Sequence, residues 1–372
     1  MSFRRAARAA LAGNRRVYRI LVAVTIILAG FSASCGKSSK STSSHNAYVT
    51  LPQKGTVALL HVDDSTGAVS LISQTPPLTG ASPTALALDS TQKFLFVGNA
   101  AANTVSVFNV AADGSLTQSS DAIPVGAGPR ALVLDPSGKY LLITNNFANT
   151  VSVYSVSGGS LTLVGDFSAG LGPTELAISP SGQFVYISDS SVGFITGLIL
   201  NSDGTLSPVA GSPFPAGSGL SGLALDPSGK YLYAANTSAN TVSAYAIDSG
   251  SGSLSSTIAG SPFTAGTAPR AIAIDPSGAF LYVANQGSNN VSSFTIKAST
   301  GELTAIGTSA TSAGTQPILA LAEPRGGFIY IGNQSSTNVS GYSFDTTTGA
   351  LTAISGSPFT VGSAPGGIVI VH

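Results

Sequence analysis

The chain is poor in the residues on which most protein chemistry depends. Among 372 residues there are one cysteine, one methionine, three histidines and no tryptophan. A lone Cys35 excludes an internal disulfide, and with no CxxC pair and no Cys/His cluster the spacing holds no metal site. Charged residues make up only 9% of the chain, and beyond its first 34 residues no basic patch is left to follow a phosphate backbone, so no nucleic-acid partner is expected. From Ala47 onward no apolar stretch keeps a helical period. What is plentiful is glycine (43), proline (20) and aliphatic side chains, the composition of many short buried strands joined by tight turns.

Those strands repeat. The clearest copies are FLFVGNAAANTVSVFNVAADGSLT, YLYAANTSANTVSAYAIDSGSGSLS and FLYVANQGSNNVSSFTIKASTGELT, and aligning Pro83, Pro129, Pro173, Leu220, Pro269, Pro317 and Pro365 gives steps of 46, 44, 47, 49, 48 and 48 residues. An all-strand repeat of this length is the signature of a propeller blade. In the copy from Arg270 to Gly301, Ala271–Ile274 reads as an inner strand A, and Asp275-Pro276-Ser277-Gly278 has the residues of a type I turn. Phe280–Ala284 follows as strand B, ended by Asn285. Strand C alternates over Val291–Ile296, and Ser299-Thr300-Gly301 turns into strand D at Leu303. Segments such as Gly260–Gly266 read as polar D–A connections.

The two ends of the repeat region are complementary. Ala47-Tyr48-Val49 starts with a strand B that has no strand A before it, while Gly367–Val371 is a strand A alone. Pairing them closes a ring and leaves no open radial edge. The expected fold is therefore all-β, a seven-bladed β-propeller over residues 47–372 in which the C-terminal strand completes the N-terminal blade (Velcro closure).

Residues 1–34 read as a targeting signal. Six arginines precede the apolar run Leu21–Gly30, and Ser32-Ala33-Ser34 leads directly to Cys35. The pattern resembles a bacterial lipoprotein signal, with Ser32 in place of the more usual leucine. It implies lipidation at Cys35, a Ser-rich tether over residues 35–46, and a bacterial cell-envelope, extracytoplasmic location with the membrane reached through the lipid. A secretory signal cleaved nearby and a retained anchor stay open as alternatives, the run being short for a span. Loss of the six arginines leaves 10 basic residues against 16 acidic ones, a formal charge of −6.

The combination YVAN-x(3)-N-x-VS-x-F, followed by G-x-L, resembles the lactonase-type seven-bladed propellers, which include 6-phosphogluconolactonases, and the related YVTN surface-protein repeats. The resemblance covers residues 47–372. It implies a G-x-G-P-R-H segment, an acid in the next B–C loop and a later P-R pair. The chain has Gly126-Ala127-Gly128-Pro129-Arg130 followed by Ala131, Asn145-Asn146-Phe147 where the acid belongs, and Pro269-Arg270 with Asn285-Gln286 after it. The arginines of the family pattern are kept; its histidine and acid are not. His45 is assigned to the tether, His61 to strand C of the first unit, and His372 is the last residue, so no imidazole is expected at the channel to act as a base.

Residues recurring in every copy are read as structural. Asp135, Asp226 and Asp275 belong to the A–B turns. The residues ending strand B (Asn99, Asn145, Asn236, Asn285, Asn333 and Asp189) are expected to cap their own loops, with a ring of amides at the channel mouth as the alternative. The departures lie at the start of strand A, where Arg130, Glu175 and Arg270 are the charges facing the channel. Arg130 and Glu175, on consecutive blades, could pair as a structural ion bridge; alternatively two guanidiniums converging on a cavity suit a carboxylate or phosphate. Two functions follow: a non-catalytic scaffold holding a small anionic or polar ligand or a protein at the funnel, or a lactone hydrolase with a rearranged site. Neither needs a cofactor, and a monomer is expected.

Overall fold

The tight D-P-S-G turns explain the unit from which this chain is built. The computed structural model describes residues 43–76, 82–255, 258–308 and 310–371. Numbering blades from the one that holds Ser44–Leu51, in the turn after strand A of blade 3 (Pro129–Leu134) Asp135 Oδ1 accepts the Tyr140 N–H at 2.6 Å and Oδ2 accepts the Ser137 N–H at 3.1 Å, so one carboxylate holds both ends of the reversal. Asp89, Asp226 and Asp275 repeat the arrangement, with Ser179 standing in for the acid in blade 4. These aspartates are structural, as their recurrence implies.

Seven antiparallel sheets result, and no helix occurs among the described residues. Blade 6 is representative: strand A is Pro269–Ile274, B is Phe280–Asn285, C is Asn290–Ile296, and D comes in two pieces, Leu303–Ala305 and Thr311–Ser312. The first piece pairs the end of strand C and the second pairs its beginning. The segments read as D–A connections therefore belong partly to the sheet: in blade 5, Phe263–Thr264 pairs Val242 and Thr241. The first short piece does not cover the longer C strand, so the chain loops out and comes back to pair its other end. Blades 1 and 3 differ, strand D being one piece over Val69–Gln74 and Ser160–Ser168 respectively.

The ring closes as the complementary ends require. The C-terminal strand Gly367–Ile370 pairs strand B of blade 1 (Ser44–Leu51), with Tyr48 opposite Val369 and Val49 opposite Ile368. A second device ties blade to blade. The strand B tyrosine donates its hydroxyl to a glycine carbonyl in the next blade's C–D hairpin: Tyr186 to Gly252 (2.8 Å), Tyr233 to Gly301 (2.9 Å) and Tyr282 to Gly349 (3.0 Å). Tyr330 of blade 7 does the same to Gly67 of blade 1 at 2.8 Å, bridging the seam. Gly67 has a positive φ, and a Cβ there would lie 2.5 Å from the Phe328 ring, so both backbone and space require glycine.

One boundary moves. Strand B of blade 1 begins at Ser44 rather than Ala47, and His45, assigned to the tether, is buried in it. Its Nδ1 lies 2.5 Å from Asp64 Oδ1, and Arg325 reaches the same carboxylate at 3.2 Å. The side chain is held at the seam by its hydrogen bond to Asp64, which an apolar pattern does not reveal. The targeting segment, Cys35 and residues 35–42 of the tether lie outside the described residues.

Candidate functional site

In blades 2 to 7 strand A opens with an irregularity in its pairing with strand B. In blade 3 Pro129 pairs Asn145 and Leu132 pairs Ile143, so Arg130 and Ala131 together oppose Thr144. In blade 4 Thr174 and Glu175 share the position opposite Ser188, and in blade 6 Arg270 is the extra residue between Pro269 and Ala271. Bulges of this kind re-aim a side chain without interrupting the sheet. Hydroxyls from strand B fix them, Thr144 accepting the Ala131 N–H and Ser188 the Glu175 N–H, both at 2.9 Å.

The same hydroxyls and their neighbours tie the inner strands to one another. Thr144 Oγ1 donates to the Thr174 carbonyl at 3.1 Å, Ser188 Oγ to the Ser221 carbonyl at 3.0 Å, and Ser221 Oγ to the Arg270 carbonyl at 3.1 Å. Blades 3 to 6 are thereby linked at the level of the charged residues. The approach is close: a Cβ on Gly222 would meet the Arg270 carbonyl at 2.7 Å.

The axial cavity has a volume of about 450 Å³ and is lined by Arg130, Glu175 and Arg270. All three sequence-selected residues thus meet in one space. No ion pair within 4.0 Å joins Glu175 to either arginine, which corrects the structural-bridge reading. None of the three side chains makes a hydrogen bond. Glu175 is accessible to water yet surrounded by protein, because it opens into the channel. This enclosure raises its pKa above the ordinary carboxylate value, against the opposing pull of Arg130 and Arg270. Arg270 has its pKa lowered by burial and by the charge of Arg130, with Glu175 acting the other way.

Sequence reasoning missed the amides beside them. Gln53, Gln286 and Gln334, from the B–C turns of blades 1, 6 and 7, also line the cavity, together with the apolar Ile318 and Leu319. Gln286 follows the noted Asn285, but only ring geometry brings turns so distant in sequence together. His45 and His61 do not line the cavity, and His372 lies outside the described residues.

The strand B asparagines are neither loop caps nor a ring open to the channel. They are buried and reach across to strand C: Asn145 Nδ2 donates to Thr150 (3.1 Å) and Ser152 (2.7 Å), Asn236 to Thr241 (3.1 Å) and Ser243 (2.8 Å). Among the described residues no group of His, Cys, Asp and Glu is arranged to hold a metal ion.

The comparisons agree with this geometry. The family described as lactonase, 7-bladed beta-propeller, matches residues 39–131, 126–210 and 166–321, overlapping in the manner of a repeat. No curated protein matches the chain. A crystal structure from Bacteroides fragilis NCTC 9343, described as a candidate 6-phosphogluconolactonase, is similar at a TM-score of 0.76 with 20% identity, covering 90% of this chain and 99% of that one. A comparable protein from Bacteroides uniformis ATCC 8492 gives 0.78 with 19% identity over 88% and 99%. The periplasmic gluconolactonase of Pseudomonas aeruginosa gives 0.72 with 21% identity over 89% and 99%. At these identities the likeness concerns the fold.

Proposed function

Because this chain belongs to the lactonase family of seven-bladed β-propellers, we propose that it is an envelope-anchored binding propeller whose channel takes a small carboxylate- or phosphate-bearing ligand. One observation carries the reading: Arg130, Arg270 and Glu175 line one axial cavity with no side-chain hydrogen bond or ion pair among themselves. Opposite charges crowded into one channel ordinarily pair, yet Arg130 and Glu175 stay open to the channel and Arg270 half-buried. Here two guanidiniums keep their forks open, and an anion would receive charge-assisted, bidentate bonds from them. Glu175 and the three glutamines supply acceptors and donors for hydroxyls on the same ligand. Lipidation at Cys35 and the tether after it would hold the ring at the membrane surface.

A second reading, lactone hydrolysis, is favoured by one feature. The raised pKa of Glu175 moves it toward the range of a general base, and the arginines could stabilise an oxyanion. Against it stands the loss of the histidine and loop acid that the family pattern carries. Calorimetric titration with gluconate and 6-phosphogluconate, beside hydrolysis assays on the corresponding lactones, separates the two. Binding lost in Arg130→Ala and Arg270→Ala with no turnover above background supports the binding reading. Turnover that collapses in Glu175→Gln would establish the hydrolase, and neither binding nor turnover would reject both.

A further inference from the structure

Blade 4 departs from the pattern that blades 2, 3, 5, 6 and 7 keep at the end of strand B, where blade 1 has Leu51. In blades 2, 3 and 5 the buried Asn donates to two hydroxyls on strand C, five and seven residues later; in blades 6 and 7 it donates to an Asn and a Ser at those positions. In blade 4 the residue is Asp189 and the position five residues on is Phe194, so only Thr196 remains, donating to Oδ2 at 2.8 Å. Asp189 is 1% exposed, and its Oδ1 has no hydrogen-bond partner. An unpartnered Oδ1 is shared by four of the sibling asparagines. On an amide it is a modest cost, whereas a buried carboxylate short of donors is strongly disfavoured.

The missing polar partner is replaced by space. A pocket of about 360 Å³ opens beside Asp189, walled by Leu171, Val192, Phe194, Leu198 and Pro213. Leu171 and Val192 are 51% and 46% exposed, large apolar side chains left at its rim. No charged side chain other than Asp189 lines it; the polar groups facing the acid are Thr196, Ser168 and Ser212. An apolar cup with one carboxyl group set into its wall is complementary to an apolar body carrying one cationic donor.

We propose that blade 4 holds a second ligand site, in which Asp189 receives the ammonium group of a small organic amine whose apolar body fills the pocket between Leu171 and Phe194. The ammonium supplies the donors that the siblings obtain from strand C, and the Phe194 ring adds an aromatic surface suited to a cation. The site is separate from the axial channel, with which it shares no lining residue. Burial raises the Asp189 pKa to about 7, so binding an ammonium draws the proton off and affinity climbs as pH rises through that value.

Calorimetric titration of the purified protein with phenethylamine, and with 2-phenylethanol as its uncharged counterpart, tests the assignment. The amine should bind one to one at pH 8, at least tenfold more tightly than the alcohol and tenfold more tightly than at pH 5.5; near pH 6, where the free carboxyl holds its proton, the heat should vary with buffer ionisation because a proton is released. Asp189→Asn installs the residue of the sibling blades and so preserves the fold, and it should weaken amine binding tenfold or more. Phe194→Thr restores the missing hydroxyl and should weaken it as well. Equal binding of amine and alcohol would reduce the site to an apolar crevice, binding undiminished in Asp189→Asn would place the amine elsewhere, and no binding of phenethylamine at millimolar concentration would overturn the proposal.

Discussion

Replacing Asp189 with asparagine should stabilise the ring, and by an amount that depends on pH. The carboxyl is pushed up to about 7 by burial, from an ordinary value near 3.8. A shift of roughly three units corresponds to about 4 kcal/mol between the protonation states. The sign follows from where the proton sits. With the folded pKa above the unfolded one, the folded chain holds the proton more tightly, so this group favours folding below about pH 4 and that contribution is lost as pH rises through about 7. Asparagine keeps the neutral shape, and its Nδ2 can donate to Thr196 as Asn145 donates to Ser152. Wild type and Asp189→Asn should therefore unfold alike near pH 4, while at pH 8 the variant gains about 2–4 kcal/mol, allowing for water reaching the pocket. With an unfolding entropy of about 2 cal/mol/K per residue over ~330 residues, that is a rise in midpoint of roughly 3–6 °C. Differential scanning calorimetry at both pH values reads it, and the other carboxylates titrate equally in the two proteins and cancel. A gain of the same size at pH 4 and pH 8, or none at pH 8, would refute the reasoning.

Three further outcomes are expected. Deleting residues 366–372 removes the strand paired with Tyr48 and Val49 and should abolish cooperative unfolding; an unchanged transition would mean that the ring is held without that pairing. Tyr330→Phe removes the hydroxyl bond to Gly67 across the seam and should cost about 1–2 kcal/mol, measured by urea unfolding against Tyr282→Phe, which breaks the equivalent bond away from the seam. Cys35→Ser should move the protein from the membrane to the soluble fraction and end fatty-acid labelling, and a wild-type protein that takes up no label would defeat the lipoprotein reading.

The sequence alone determined the architecture, because blade formation is local. The D-P-S-G turn, the run Phe280–Ala284 and the alternation after it each act within a single unit, and seven such units with complementary ends leave one way to close a ring. It also picked out Arg130, Glu175 and Arg270, since a residue that departs from a repeat is visible without coordinates. What remained depended on separations of tens to hundreds of residues. That the three charges share a cavity without pairing, that Gln53 and Gln334 face them, and that His45 is locked to Asp64 at the seam follow from how blades sit around the axis. The strand B asparagines show the difference most directly. Their recurrence is written in the chain, but whether an amide turns back on its own loop or across to strand C depends on register, and so the meaning of the single Asp189 was decided only by the fold, which sets it beside Phe194 instead of a hydroxyl.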